Sequence, residues 1–428
     1  MNTLESLLLI VLLLGVAVAC GTQPKKEESM QEPLSVTAKE ILGNPKYQAV
    51  SYGGYRMNTR DAQPTVAELM EDMKILHAAG IRILRTYNVH LPHASNVLKA
   101  IRTLKEEDPS FEMYVMLGAW IDCLNAWTDK EPDHTKESPR NAEEIARAIE
   151  LAQEYPDIVK IIAVGNEAMV HWQAIYWVPP TIILKWVDHL QGKKAAGELP
   201  EDLWITCSDD FSSWGGGDPV YHTEGLTQLM HAVDYISMHT YPMHNTHYNP
   251  YFWGNAPEEE GLSKEERIQM AMDRSLAFAQ TQYDSVTSYM KHLGIDKPIH
   301  IGETGWATVC NDLYGPDGSR ATDEYKESIF HQMMRDWTNA NGISCFYFEA
   351  FDESWKDAGN AYGSENHFGL FTVEGQAKYA LWDLVDQGAF DGLSRGGNPI
   401  TKTFGGDRKA VLEAAMMPPV NGDLVPAE

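Results

Sequence analysis

Cysteine and basic residues are both scarce in this chain. It holds 5 cysteines in 428 residues, and no two have the Cys-x-x-Cys spacing that is typical of zinc sites and redox-active disulfides. Lys and Arg total 34 against 61 Asp and Glu, which gives a formal net charge of −27. A field of that sign repels polyanions. It disfavours nucleic acid and anionic polysaccharides as partners and favours a neutral ligand.

Four of the cysteines follow the N-terminal segment and lie far apart in the sequence. Cys207 and Cys345 fall inside apolar, strand-like runs, which predicts buried free thiols. Cys123 and Cys310 follow predicted strand ends. At these two positions the sequence leaves open both a disulfide and two free thiols.

The N-terminal apolar run, Leu7–Ala19, is too short to span a bilayer comfortably and is typical of a signal-peptide core. Small residues stand directly before Cys20, a pattern that resembles a bacterial lipoprotein signal in which the cysteine is lipidated. Met1–Glu5 lacks the Lys or Arg usual in such signals, and an ordinary secretory signal is the alternative. We predict a signal peptide over 1–19, a polar tether over 20–36, and an exported bacterial lipoprotein of the cell envelope, at the outer membrane or cell surface.

Apolar, strand-like runs alternate with amphipathic, helix-like runs along the rest of the chain. The eight strand candidates are Tyr47–Tyr52, Ile81–Tyr87, Met113–Trp120, Ile158–Glu167, Leu203–Ser208, Asp234–Tyr241, Pro298–Glu303 and Ile343–Phe351. Most of them are almost continuously apolar, which is typical of parallel strands covered by helices.

Two of the helix-like runs have visible start signals. Thr65 with Glu68 fits a capping box, and Gly80 is expected to end that helix. Asn141 with Glu144 is expected to start another helix in the same way. The remaining helices are predicted near Asn96–Glu106, Thr181–Gln191, Gly225–Ala232, Lys264–Leu293, Thr322–Asn339 and Gln376–Asp386.

This alternation predicts an α/β fold, a (β/α)₈ TIM barrel that forms a single domain over residues 37–390. Residues 122–138 and 242–262 are expected to be long loops. Residues 391–428 are expected to form a C-terminal tail that packs on the barrel or trails from it. A doubly wound sheet is the alternative, and it is disfavoured because no Gly-rich phosphate loop follows the first strand.

Two glutamates stand where buried strands are predicted to run into loops. Glu167 ends the fourth strand and Glu303 the seventh, and in a (β/α)₈ barrel these strands lie on opposite sides of the mouth. A paired acid/base and nucleophile of this kind is what retaining cleavage of a glycosidic bond requires. A single Glu is as readily a helix cap or ion-pair partner, but two at matching strand ends favour catalysis.

Other side chains are expected at the same end of the barrel. Asn166 is positioned to hydrogen-bond a sugar hydroxyl, and Arg85 to pair with Glu303 or Glu349, either to hold it ionised or as a structural ion pair. Four aromatic residues at or just past strand ends offer flat faces for pyranose rings or, alternatively, pack at the barrel rim: Trp120, Tyr241, Trp306 and Trp355.

The motifs resemble those of glycoside hydrolase family 17, the β-1,3-glucanases, over about residues 40 to 386. Val164–Glu167 and Ile301–Trp306 are similar to the family's acid/base and nucleophile motifs. Further matches are Ile41–Pro45, Ser51–Arg56, Arg85–Tyr87, Phe346–Lys356 and His367–Phe371.

This resemblance implies a (β/α)₈ fold, retention of configuration, and β-1,3-linked glucan as a neutral substrate. It makes Glu167 the general acid/base and Glu303 the nucleophile. By likeness the substrate-binding residues are Tyr52, Tyr87, Asn166, Tyr241, Trp306, Glu349 and Trp355. No cofactor is implied.

Three further patterns have competing interpretations. His239, His244 and His247 lie close together, but their spacing fits no usual zinc pattern and favours cleft or loop histidines. Gly392–Gly396 matches a hydrolase nucleophile elbow, although no His follows it. The acidic loop Asn311–Asp323 is a candidate for calcium, with a solvated turn favoured. We therefore predict no metal.

Three other functions remain open at this stage. They are a β-1,3-glucanosyltransferase using the same glutamates, a glycosidase for another β-linked glucan or mannan, and a non-catalytic glycan-binding lipoprotein. The last is disfavoured because a degenerate relative is expected to lose a carboxylate, and both are present. We expect a monomer that meets the membrane only through its lipid anchor.

Overall fold

Eight parallel strands close into a barrel in the computed structural model, which describes residues 36–420. The strands are β1 Gln48–Ser51, β2 Ile81–Arg85, β3 Tyr114–Ala119, β4 Val159–Asn166, β5 Trp204–Asp210, β6 Ile236–His239, β7 Ile299–Gly305 and β8 Cys345–Phe348. Each pairs with the next along the chain, and β8 pairs with β1 to close the ring.

A helix follows each strand on the outside of the barrel. The helices are α1 Val66–Ala78, α2 Pro92–Glu107, α3 Arg140–Glu154, α4 Pro180–Ala195, α5 Glu224–Ala232, α6 Lys264–His292, α7 Glu324–Ala340 and α8 Trp382–Asp386. The predicted (β/α)₈ barrel is confirmed. The last helix is shorter than predicted, because Ala377 pairs as a bridge with Phe371 and Lys402, and Tyr379–Leu381 forms a 3₁₀ turn.

The two predicted helix starts have different outcomes. Thr65 caps α1 as a capping box, since its hydroxyl accepts from the Glu68 N–H at 3.3 Å and the Glu68 carboxylate accepts from the Thr65 N–H at 2.8 Å. The Asn141 prediction is wrong. Helix α3 begins at Arg140 without a side-chain cap, and the buried Asn141 amide instead exchanges two hydrogen bonds with the backbone of Asp122.

The apolar core has two layers, as expected for a barrel covered by helices. Side chains alternate along each strand, so one face fills the barrel and the other meets the helices. The inner layer includes Ala49, Ile83, Met116, Ile161 and Phe346, and the short N-terminal helix Ala38–Ile41 packs into it. Apolar residues next to these in sequence, such as Val50, Leu84 and Ile162, belong to the outer layer.

The four described cysteines are buried and free. Cys123 and Cys310 do not form a disulfide, and each thiol lies near an oxygen instead. The Cys123 Sγ lies 3.7 Å from the Ile175 carbonyl oxygen, and the Cys310 Sγ lies 2.7 Å from Asp312 Oδ1.

Residues 391–420 pack against the barrel. Arg395 is buried and its Nε lies 2.9 Å from Asp72 Oδ1, and the Asn255 side-chain amide donates to the Pro418 carbonyl at 2.9 Å. The Gly392–Gly396 segment leads into a small hairpin between Ser394–Arg395 and Asn398–Pro399, which is not a strand-to-helix elbow.

The predicted signal peptide, the lipidation site Cys20 and nearly all of the tether lie outside the described residues. From residue 36 to residue 420, no helix combines the length and the apolar character needed to cross a bilayer.

Candidate active site

Glu167 and Glu303 both lie at the C-terminal end of the barrel strands. Glu303 lies two residues before the end of β7, and Glu167 directly follows β4. Glu167 has a φ of +44°, which side-chain-bearing residues seldom adopt, and Gly165 two residues earlier has a φ of +83°. The Glu167 N–H donates to the Ser208 carbonyl at 3.0 Å. Such uncommon backbone geometry tends to concentrate at functional sites.

The two carboxylates lie close together. One oxygen of Glu167, one of Glu303 and one ring nitrogen of His239 all fall within 4.8 Å of one another. Retaining glycosidases place their carboxyl groups about 5–5.5 Å apart, whereas inverting enzymes leave about 6.5–9.5 Å for a water molecule. The separation fits a retaining mechanism.

Three neighbours bind the Glu303 carboxylate. Tyr241 donates its hydroxyl to Oε1 at 2.6 Å, Tyr87 donates to Oε2 at 2.8 Å, and the Arg85 guanidinium contacts Oε2. Burial by itself would raise the pKa of Glu303, but Arg85, the nearby His239 and the two hydroxyls together outweigh it and lower that pKa to about 2. Glu303 is therefore ionised at neutral pH.

Arg85 orders more than one group of the site. Its buried guanidinium also donates to the Gly302 carbonyl at 3.0 Å and to Asn166 Oδ1 at 2.5 Å. Of the two partners proposed for Arg85 from the sequence, the structure selects Glu303. The same cation thus fixes the carboxylate of Glu303 and the amide of Asn166.

Glu349 does not reach the cleft, so its predicted role in substrate binding is wrong. Its side chain is buried, and Oε2 lies 2.6 Å from the Lys356 Nζ. Burial raises the pKa of Glu349 well above its ordinary value, although Lys356 opposes this effect. Lys356 and Glu353 line the cleft in its place.

The prediction that Trp306 offers a flat face for a sugar ring is also wrong. Trp306 has no exposed surface, its indole N–H donates to the Ala321 carbonyl at 2.8 Å, and its ring lies 5.6 Å from that of Trp253. Trp306 therefore packs beneath the rim. Tyr52 reaches the cavity wall but is fully buried, and its hydroxyl donates to Asp72 at 2.9 Å.

A cleft of about 1210 Å³ opens beside Glu303. Of the residues predicted to contact substrate, those that line it, besides Tyr52, are Tyr87, Trp120, Asn166 and Trp355. Sequence reasoning missed Trp127 and Tyr176, which extend an aromatic row from Trp120. The ring centroids of Trp120 and Tyr176 are 5.2 Å apart, and those of Tyr176 and Trp127 are 5.3 Å apart.

His239 has a role that its sequence pattern did not indicate. It lies at the end of β6 and its Nδ1 is 3.0 Å from Glu167 Oε1. His244 instead stacks on the Tyr241 ring at 4.9 Å. Its place at a strand end was the signal that could have identified His239, as it did for the two glutamates.

Glu167, His239 and Glu303 also form the one group within residues 36–420 that has the spacing of a metal site. Both oxygens of Glu303 already accept hydrogen bonds, and the Arg85 cation lies against one of them. In the candidate calcium loop, Asp323 caps α7 by accepting from the Lys326 N–H at 2.9 Å. These contacts favour carboxylate chemistry in the cleft and a structural role for the loop.

Comparison with known proteins also indicates a glycoside hydrolase. Residues 49–369 match the family model of the BtgE/BtgC glycoside hydrolase domain. The crystal structure of an endo-laminarinase from Formosa Hel1_33_131 is 65% identical, has a TM-score of 0.90, and covers 92% of this chain and 100% of its own.

Two curated relatives match a large share of this chain. A glucan 1,3-beta-glucosidase of Arthroderma benhamiae is 34% identical over 322 residues, which are 73% of this chain and 83% of that protein. A putative glucan endo-1,3-beta-glucosidase, btgC, of Aspergillus niger is 26% identical over 293 residues. The match covers 66% of this chain but 35% of the Aspergillus protein, so the chain spans about a third of that relative's length.

Proposed function

The chain belongs to the BtgE/BtgC glycoside hydrolase family, which confirms the resemblance to glycoside hydrolase family 17, and we propose that it is a retaining hydrolase of β-1,3-glucan. The observation that carries this proposal is the pair of carboxylates within 4.8 Å, of which Glu303 is held ionised beside Arg85. The names of the similar proteins, an endo-laminarinase and glucan 1,3-beta-glucosidases, support the choice of substrate.

In the first step Glu303 attacks the anomeric carbon of the bound glucosyl unit. The bond from this carbon to the glycosidic oxygen breaks, and Glu167 gives its proton to that oxygen. Arg85, Tyr87 and Tyr241 hold the attacking carboxylate in one orientation. Such fixed positioning lowers the entropic cost of forming the covalent intermediate.

In the second step water releases the glycosyl group from Glu303. Once Glu303 is esterified its negative charge is gone, and Glu167, now ionised, can accept a proton from water. The water oxygen attacks the anomeric carbon, and the Glu303 carboxylate leaves. Two inversions at the same carbon give net retention.

The surroundings of the carboxylates suit a neutral sugar chain. The cleft offers aromatic faces at Trp355 and along Trp120, Tyr176 and Trp127, and polar groups such as the amide of Asn166. Clefts that combine apolar surface with a few fixed polar groups are typical of small-molecule and sugar sites.

The proposal is tested with protein that lacks residues 1–36. The intact protein, Glu303→Ala and Glu167→Gln are incubated with a soluble β-1,3-glucan, and product lengths are read by chromatography. Short oligosaccharides from the intact protein alone support the hydrolase. Products longer than an oligosaccharide substrate identify a transferase that uses the same glutamates. Cleavage of a β-1,4 or mixed-linkage polymer alone would overturn the substrate.

We also propose that the protein is exported and anchored by a lipid on Cys20, and that it acts as a monomer. The small residues before Cys20 support the anchor. Palmitate labelling that persists in Cys20→Ser would refute the anchor, and light scattering that gives a dimer mass would refute the monomer.

A further inference from the structure

The partner of Glu167 is a histidine that lies wholly inside the protein. His239 has no exposed surface, and its Nδ1 is 3.0 Å from Glu167 Oε1. Glu167 itself keeps 20% of its side chain exposed. One oxygen of the carboxylate is therefore engaged from inside the barrel, which leaves Oε2 for the substrate.

A pair of serines supports the other side of the imidazole. His239 Nε2 lies 2.8 Å from Ser208 Oγ, which lies 2.8 Å from Ser237 Oγ. Ser208 and Ser237 are register partners on β5 and β6. Space for the two hydroxyls depends on Gly302, because a Cβ there would lie 2.1 Å from Ser237 Oγ and 2.6 Å from Ser208 Oγ.

These contacts limit where the protons of His239 can lie. A serine hydroxyl both donates and accepts, so Ser208 can satisfy Nε2 whether or not that nitrogen carries a proton. An ionised carboxylate oxygen can only accept. Nδ1 must therefore carry a hydrogen whenever Glu167 is ionised, and the serine pair allows it to keep that hydrogen throughout.

We propose that His239 is a positioning residue that donates from Nδ1–H to Glu167 Oε1 in both steps, so that Oε2 carries the catalytic proton. This inference rests on the proposed function. In the first step the proton passes from Oε2 to the glycosidic oxygen as the carbon–oxygen bond breaks. The bond from Nδ1–H then becomes charge assisted and stabilises the new carboxylate. In the second step Oε2 takes a proton from water.

The experiment compares two substrates of different leaving-group ability. Laminari-oligosaccharides need a proton on the departing oxygen, whereas 2,4-dinitrophenolate leaves a laminaribioside without one. His239→Ala is expected to lower kcat/KM on the oligosaccharides by about 10²-fold and on the dinitrophenyl glycoside by less than about threefold. His239→Asn places an amide donor near the Nδ1 position and is expected to recover most of the loss on oligosaccharides.

Equal losses on both substrates would overturn the proposal, since a general distortion of the site lowers both rates. Full activity of His239→Ala on oligosaccharides, or no recovery in His239→Asn, would overturn it as well. Should His239→Ala fail to fold, Ser208→Ala carries the test. This variant keeps the imidazole but removes the hydroxyl that orients it. Its kcat/KM on the oligosaccharides is therefore expected to fall roughly tenfold, while its kcat/KM on the dinitrophenyl glycoside changes little. Equal losses, or none, in this variant would also overturn the proposal.

Failure of the proposed function itself has a different signature. Glu167→Gln, like His239→Ala, is expected to lose more kcat/KM on the oligosaccharides than on the dinitrophenyl glycoside. Glu303→Ala is expected to lose activity on both substrates. An intact protein that cleaves neither substrate would refute the hydrolase, and the role of His239 with it. A larger loss on the oligosaccharides in Glu167→Gln, without one in His239→Ala, would refute the role of His239 alone.

Discussion

Replacing Arg85 with methionine removes the cation that contacts Glu303 and keeps the length of the side chain. In the native protein the Arg85 guanidinium is buried and contacts the Glu303 carboxylate, the Gly302 carbonyl and the Asn166 amide. The substitution leaves the burial of Glu303 in place. We therefore expect the carboxylate to become costly to ionise.

The magnitude follows from the pKa of Glu303, which falls from 4.5 to about 2 on folding. A shift of that size corresponds to about 3 kcal/mol in favour of the ionised form. Because the pKa is lowered in the folded state, this stabilisation is present above pH 4.5 and is lost as the pH falls toward 2. Without Arg85, burial dominates and the pKa of Glu303 is expected to rise above 4.5.

The assay is the pH dependence of kcat/KM on a laminari-oligosaccharide. Arg82→Met is the matched control, because Arg82 lies on the same strand and donates to the His77 carbonyl, away from the cleft. Arg85→Met is expected to lose activity as the pH falls through a value above 4.5, while the native protein and the control stay active there. Urea unfolding at pH 7 is expected to show a loss of about 3–5 kcal/mol, because a buried charge loses its partner. An acid limb that coincides with the native one would refute the reasoning.

Three further outcomes are expected. Trp127→Ala should weaken binding of long β-1,3-oligosaccharides more than that of short ones, by about 1–2 kcal/mol. Trp172 is similarly exposed but does not line the cleft, so Trp172→Ala should change the binding of neither. Isothermal titration over a series of chain lengths checks this. Arg395→Met should lower the free energy of unfolding in urea by about 1.5–3 kcal/mol, since the buried Asp72 carboxylate loses its contacts with Arg395 but keeps those with Arg56 and Tyr52. Gly302→Ala should lose most activity while staying folded by circular dichroism, since its Cβ would collide with Ser237 Oγ at 2.1 Å.

The sequence predicted the strands well because a strand buried on both faces leaves a continuous apolar run. Ile158–Glu167 and Ile81–Tyr87 were found within two residues of β4 and β2. Amphipathic helices were equally visible. The Asn141 signal failed because the same residue type that caps helices also bonds loop backbone, and the tertiary contact with Asp122 decided between the two.

Aromatic residues were harder to place from the sequence. Trp306 follows a strand end, yet its indole N–H finds the Ala321 carbonyl below the rim, and burial of the ring is favoured over exposure. Trp127 lies in the loop that follows β3 and is 54% exposed. No periodic sequence pattern marks Trp127. The conformation of the loop, and not the alternation of a strand, brings its ring against that of Tyr176.

Strict alternation along β7 fails at the catalytic carboxylate of Glu303, because the strand register shifts there. Ile301 lies in the outer layer and Gly302 faces the serines inside the barrel, so alternation would turn Glu303 outward. The register between β6 and β7 shifts between Met238 and His239, and this bulge brings Glu303 into line with His239 on the inside.

A second register shift, between Ala163 and Asn166 on β4, precedes Glu167. Bulges re-aim side chains near active sites and cost regular ladder hydrogen bonds. Glycines at 165 and 302 make these two deviations possible, through a positive φ of +83° at the first and space for the serine pair at the second. Gly302, next to Glu303, therefore lets that carboxylate leave the strand alternation, while Gly165 allows the irregular backbone two residues before Glu167.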